Sequence, residues 1–173
     1  RLDPDGSREV VERAKARFPR LTNLFVHAGD GRLLASAVRI PGRQVPDAWD
    51  RPWFQRVVRG GEAVVSDARI GHLVPVPLIV VAAPAAREGA TPRAVVAASV
   101  SLREIQDHFQ ALPLQHGRTL VLMDGEGTTL ARGRDAPPPE ARADGIVSAK
   151  APVAGTDWRV VAGLPRRESN TAS

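Results

Sequence analysis

Residues 24–36, LFVHAGDGRLLAS, set short apolar runs on either side of Gly29-Asp30-Gly31. Such runs around a glycine-bearing turn predict two antiparallel strands, LTNLFVHA and RLLASAV, closed into a hairpin. Residues 120–132, LVLMDGEGTTLAR, align on this stretch without gaps. Gly29 falls on Gly125, Gly31 on Gly127, Leu34 on Leu130 and Ala35 on Ala131. A second echo follows in the same order. AAPAAREGATPRAVVAA (82–98) and AKAPVAGTDWRVVAG (149–163) each carry Ala-Pro, a Gly turn, then Arg before a Val-Val-Ala run. Two echoes in one order predict two related sheet modules, the second reduced in size.

The intervening segments read as follows. Ser7 caps a short helix with Val10, Val11, Ala14 and Phe18 at helical spacing, ended by Pro19. DRPWFQRVVRGG (50–61) is a helix with Asp50 as N-cap, Pro52 in the first turn and Gly60/Gly61 at its end. EAVVSDAR (62–69) is a strand and IGHLVPVP a loop. LIVVAAPAA and RAVVAASV are strands around the turn REGATP. Ser101-Leu102-Arg103-Glu104 is a capping box, followed by Leu102, Ile105 and Phe109 on one face, with Pro113 as the stop. RDAPPPEARADG (134–145) is a proline-rich surface loop within the second module. Hairpins dominate, so the fold class is α+β: an antiparallel sheet flanked by helices, not a doubly wound parallel one.

Composition limits the chemistry. At 173 residues and 43% hydrophobic, the chain can bury a real core. It has no Cys, which removes disulfides and Cys-ligated zinc. The net charge of +5 comes from arginines spread singly between acids. Phosphate tracking needs a clustered basic face, so nucleic acid is not an expected partner. No apolar run reaches the roughly 18–20 residues of a membrane span. The start RLDPDGS has neither Met nor an apolar leader, which suggests a piece excised from a longer protein.

Catalytic and metal patterns are weak. His27, His72, His108 and His116 have no metal-pair spacing, and there is no HExxH, so neither metal nor cofactor is expected. Ser66, Asp67 and His72 are close in sequence, but no G-x-S-x-G elbow supports a hydrolase. GDG and GEG sit in hairpins rather than before helices, so they are not phosphate cradles. The Trp53-Phe54 pair beside Arg51 is conspicuous in a chain only 4% aromatic. Phe54, Val57 and Val58 suit packing of a helix on a sheet. Trp53 and Arg51 suit a small carboxylate site, where a guanidinium fork meets the anion and an aromatic wall excludes water. Residue types alone leave both readings open.

The order LFVHAGDGRLLAS, DRPWFQRVVRGG, AVVSDARIG, LIVVAAPAAREGATPRAVVAASVSLREI and LVLMDGEGTTLARG resembles the extracytoplasmic Cache (PAS-like) sensor domains of bacteria, over about residues 8–165. The tail GTDWRVVAGLP resembles the end of the membrane-proximal module in double Cache proteins. The resemblance implies a membrane-distal ligand-binding module at 21–112 and a smaller membrane-proximal module at 113–165. Residues 1–20 would end a signalling helix, and 166–173 would lead towards a membrane span. It implies a sensor rather than an enzyme: the periplasmic portion of an inner-membrane histidine kinase, chemoreceptor or cyclic-dinucleotide enzyme such as a diguanylate cyclase. A homodimer is expected in the full receptor, with membrane attachment through flanking helices absent from this chain. Closure of the loop around SDARIGHLVPVP on the ligand would shift the terminal helices.

Arg51, Trp53 and Phe54 match the family's Arg-x-Trp-aromatic motif, whose Arg binds a ligand carboxylate. Members that bind amino acids place an Asp just before the last helix, where this chain has Ser99, and use pocket tyrosines, of which this chain has none. A neutral Ser does not offset a buried ammonium. The resemblance therefore points to a short organic acid such as acetate, propionate or pyruvate. Arg51 would pair with it, Trp53 and Phe54 would wall the site, and Ser66, His72 and Ser99 would add polar contacts. The rival readings are a ligand-free dimerisation module of the same fold, a soluble hydrolase using Ser66 or His72, and an arginine-based nucleic-acid binder.

Overall fold

The 24–36 hairpin forms as its pattern predicts. In the computed structural model, which describes residues 4–38, 47–88, 91–115, 117–134, 136 and 146–165, β1 (Asn23–Ala28) pairs antiparallel with β2 (Leu33–Ser36). The chain then runs through α2 (Pro52–Gly60), β3 (Val64–Val65), β4 (Arg69–Ile70), β5 (Pro77–Glu88) and β6 (Thr91–Ser101). It continues through α3 (Leu102–Gln110), β7 (Thr119–Met123), β8 (Thr129–Arg132), β9 (Ile146–Pro152) and β10 (Arg159–Pro165). The leading helix α1 spans Pro4–Arg17. All strand pairs are antiparallel. The chain is α+β and divides into two units, Arg1–Glu104 and Ile105–Ser173. That division lies within α3, upstream of the 112/113 boundary read from the sequence, and α1 belongs to the first unit.

The internal repeat holds down to the register. The first sheet has the order β2-β1-β6-β5-β3, with β4 also on β5; the second has β8-β7-β10-β9. In the first hairpin Phe25 faces Ser36, Val26 faces Ala35, and a bulge follows before His27 faces Leu33. In the second, Val121 faces Arg132, Leu122 faces Ala131, and the same bulge precedes Met123 facing Thr129. Gly31 and Gly127 turn the two hairpins with φ of +91° and +89°. This left-handed region favours glycine because it penalises a Cβ. Ala28 N–H donates to Arg32 O in one turn, and Asp124 N–H donates to Thr128 O in the other.

Several elements depart from the sequence reading. The first helix begins at Pro4, so Ser7 lies inside it rather than capping it. It ends at Arg17, and Phe18 lies beyond it, 60% exposed. Val11 alone of the expected face is fully buried, against Val26, Ala35 and Ala94. Asp50 is not the cap of α2. Pro52 restricts its predecessor to extended backbone, so Arg51 becomes the N-cap, at φ −83° and ψ 124°. Gly61, at φ +66°, closes that helix, and its N–H donates to Val57 O.

The expected strand 62–69 is broken into β3 and β4. At Ser66 the hydroxyl accepts the Val80 N–H (2.9 Å) and donates to Asp67 O (2.8 Å), so a side chain takes a place the ladder would use. The hairpin of β5 and β6 runs further than expected, to Glu88 opposite Thr91, with register shifts after Pro84, which has no N–H to give. The capping box holds at its first half: Glu104 N–H donates to Ser101 Oγ at 3.3 Å.

The core of the first unit is one face of α2 on the central strands. Phe54 and Val57 are wholly buried and Trp53 nearly so, packed with Phe25, Val80, Val95 and the small residues Ala82 and Ala97. Burying such side chains stabilises by about 1.5–3 kcal/mol each. Within this cluster His27 is also buried, edge-on to Phe25 at 5.5 Å and to Phe54 at 5.9 Å between ring centroids. Its Nδ1–H donates to Gly31 O at 2.8 Å. Burial holds its pKa below the usual 6.5, against the opposing pull of the Gly31 carbonyl and Asp47. In the second unit, Gln106 clamps the end of β8 by donating to Arg132 O (2.7 Å) and accepting from Arg132 N (3.0 Å). Leu122, Leu130, Ala131 and Trp158 are buried there. Among the described residues no helix is long and apolar enough to cross a membrane.

Two outcomes are expected. A Cβ at Gly31 would meet the Trp49 backbone nitrogen at 2.7 Å, whereas at Gly127 nothing lies within 4 Å. Both glycines have the same strained φ, so urea melts should show Gly127→Ala losing about 1 kcal/mol. Gly31→Ala should lose about 2–4 kcal/mol. Equal losses would show that packing around Gly31 adds nothing. The second outcome concerns pH. With His27 held neutral by burial, the unfolded chain takes up a proton that the folded one does not. Stability should be full above about pH 6.5 and fall below it, by at most about 1.4 kcal/mol per pH unit, until the folded His27 titrates. His27→Gln should flatten the stability–pH curve between pH 5 and 7; parallel curves would assign the effect elsewhere.

Candidate functional site

Beside the α2 core, the first unit leaves a cavity of about 90 Å³. Its walls come from β1, the start of α2, the 69–74 segment, the start of β5 and the end of β6. An apolar cavity of about 150 Å³ takes up benzene, so this space suits a small ligand.

Four of the six residues singled out in the sequence line this cavity: Arg51, Trp53, His72 and Ser99. Arg51 enters from the N-cap of α2, where Pro52 fixes its extended backbone. Its Nε contacts Asp50 Oδ1 at 3.1 Å; Asp50 is exposed, and Arg51 keeps only 23% of its side-chain surface. A guanidinium carries five N–H donors, so one such contact leaves most of its hydrogen-bonding capacity. Trp53 serves both readings, as a core residue edge-on to Phe25 (6.2 Å) and as an apolar wall. Ser99 is buried on β6 opposite Asn23 and Val80. His72 is exposed on the rim segment.

Phe54 and Ser66 do not line the cavity. Phe54 has no exposed surface and faces the core, because its helix position belongs to the packed face together with Val57. The Ser66 hydroxyl is committed to backbone groups at both ends.

The structure adds residues that sequence reasoning did not single out. His27 lines the cavity. With Nδ1–H given to Gly31, the neutral ring offers Nε2 as an acceptor. Asn23 lines it too, but its amide is spent on structure. It donates to Ser36 Oγ (2.9 Å) and accepts from Leu24 N (2.8 Å) and Val38 N (3.0 Å). Arg69 is the third addition. It lies on β4 opposite Leu78, and its Nε is buried without a hydrogen-bond partner. Such an orphan costs about 1–3 kcal/mol, more on a charged group. In the sequence Arg69 is one arginine among many; only the pairing of β4 with β5 brings it to the site.

The described lining holds two arginines and two histidines and no carboxylate. Among the described residues no group of His, Cys, Asp and Glu is placed to hold a metal ion. The remaining walls are mainly apolar, Phe25, Leu78 and Val80 among them. The arrangement favours a small anion with an apolar body, because fixed cations in a low-dielectric setting act more strongly than in water.

No family model matches the sequence, and no curated protein matches it. Solved structures do match the fold. The ligand-binding domain of the Pseudomonas aeruginosa amino acid chemoreceptor PctB, in complex with L-Gln, is 16% identical, with a TM-score of 0.69 over 97% of this chain and 77% of that one. The ligand-binding domain of the Pseudomonas fluorescens chemoreceptor CtaA, in complex with L-isoleucine, is 14% identical, with a TM-score of 0.69 over 94% and 76%. The sensor domain of the Vibrio cholerae histidine kinase DctB is 15% identical, with a TM-score of 0.63 over 95% and 80%. These are ligand-binding and sensor domains of receptors, not catalytic domains. With its antiparallel sheets, flanking helices and a cavity beside α2, the chain has the Cache (PAS-like) sensor-domain fold.

Proposed function

We propose that this chain is the extracytoplasmic ligand-sensing part of a bacterial transmembrane receptor and that it binds a small carboxylate. The first unit would be the membrane-distal sensing module and the second the membrane-proximal one. The observation that carries the ligand class is the cavity lining. Arg51 stands at its wall beside Trp53, and no carboxylate stands among the described lining residues. A bound acid would pair with Arg51 in a charge-assisted, two-pronged contact, with Trp53 excluding water from it. Ser99 would donate to a ligand oxygen, and His72 on the rim would add a contact from the segment that closes over the site.

The main alternative is an α-amino acid, the ligand class in the PctB and CtaA complexes. Such a ligand brings an ammonium as well as a carboxylate. An ammonium taken from water needs a compensating anion or several acceptors. Neutral Ser99, the committed amide of Asn23 and the single Nε2 acceptor of His27 do not make up such a set. Plain acids are therefore the preferred class, with loop closure passing the signal by binding one state better than the other.

Calorimetric titration of the purified chain with acetate, propionate, pyruvate and a panel of amino acids tests this reading. Propionate-like acids should bind. Arg51→Ala should weaken them about 10–100-fold, the value of one charge-assisted contact. Unchanged affinity in that variant would remove Arg51 from the site. A second variant addresses ligand class: Ser99→Asp should weaken plain acids and favour ligands carrying an ammonium. Tight binding of amino acids by the unmodified protein, with plain acids inert, would reverse the assignment.

A further inference from the structure

Arg69 carries a consequence for the ligand. We infer that the cavity takes a ligand with two acid groups, a short dicarboxylate, with Arg51 on one and Arg69 on the other. This rests on the carboxylate reading above and narrows it.

Three observations support the assignment. Arg69 and Arg51 line one cavity but come from separate elements, β4 and the start of α2. The Arg69 Nε–H is buried with no acceptor in the protein. A buried donor on a permanently charged group calls for an acceptor supplied from elsewhere, and a ligand oxygen at the site meets that need. The described lining has no carboxylate of its own, and the one acid on these arginines, exposed Asp50, sits on Arg51, so a monoanion held by Arg51 would leave Arg69 without a counter-charge in a mainly apolar space.

Arg51 and Arg69 differ in role. Arg51 already touches exposed Asp50 at 3.1 Å, so its charge is partly balanced before any ligand arrives. Arg69 has its Nε unsatisfied, so its contact adds more on binding. Selectivity for a second acid group should therefore reside in Arg69.

The experiment is calorimetric titration of the unmodified chain with propionate, malonate and succinate, repeated on Arg69→Gln and Arg69→Lys, with thermal melts to verify folding. At least one dicarboxylate should bind the unmodified chain at least tenfold more tightly than propionate. Arg69→Gln should bring that dicarboxylate down to the level of propionate, and Arg69→Lys should restore part of its lead. The inference is overturned if propionate binds as tightly as both dicarboxylates. It is overturned too if the lead survives in Arg69→Gln. In either case propionate binding keeps the carboxylate reading intact. If none of the three acids binds at millimolar concentration, the carboxylate reading falls and this inference with it. The affinity ratio in the unmodified chain decides the matter even if Arg69→Gln does not fold.

Discussion

The carbonyl of Gly31 ties three parts of the first unit together. It accepts the Nδ1–H of His27 and the backbone N–H of Ala48, each at 2.8 Å. One oxygen thus ties the hairpin turn to a buried ring and to the approach of α2. The turn admits Ala48 and Trp49 this closely because residue 31 has no Cβ. From Ala48 the chain reaches Arg51 in one turn, with Arg51 N–H donating to Ala48 O. Pro52 then sets the helix going. The position of Arg51 at the cavity follows from a glycine in a hairpin and a proline in a helix start.

On that frame α2 divides its labour by position. Phe54 and Val57 spend their surface on the sheet, where Ala82 and Ala97 leave room for them. Trp53, one residue before Phe54, turns to the border between core and cavity. Arg51, two residues earlier still, supplies charge. The packed face of the helix anchors the first turn, from which Arg51 and Trp53 reach the cavity. His27 fits the same pattern. Burial favours its neutral form, so it adds no positive charge beside the two guanidiniums of the lining.

How much of this was legible depended on how local the determinants are. The hairpins were legible as hairpins, though not in their exact strand ends, because strand pairing around a glycine turn is fixed by neighbours in sequence; Gly31 and Gly127 have nearly the same φ. The α2 segment was legible as a helix that packs through Phe54 and Val57, with Arg51 and Trp53 at a cavity, but its cap was misread. Asp50 has the better capping side chain, yet the steric effect of Pro52 on Arg51 prevails. Ser66 looked like a free hydroxyl. Its bond to Val80 forms only once β5 lies alongside. Arg69 was invisible for the converse reason: nothing near it in sequence marks it, and its isolation is a property of the folded cavity.

The repeat separates scaffold from site. Positions that turn the backbone are kept between the two hairpins, glycine for glycine and bulge for bulge. Positions that line the cavity are not: Phe25 corresponds to Val121, and His27 to Met123. A buried imidazole that orders a turn and a ring that walls a cavity are replaced by aliphatic and thioether side chains, which pack but neither donate nor accept strongly. Pairing register therefore constrains the backbone of both sheets alike, while the chemistry is set by which side chains the same backbone presents. The second unit has the same hairpin geometry without this pair of side chains. The two arginines that line the cavity belong to the first unit, delivered there by a helix start and the two-residue strand β4.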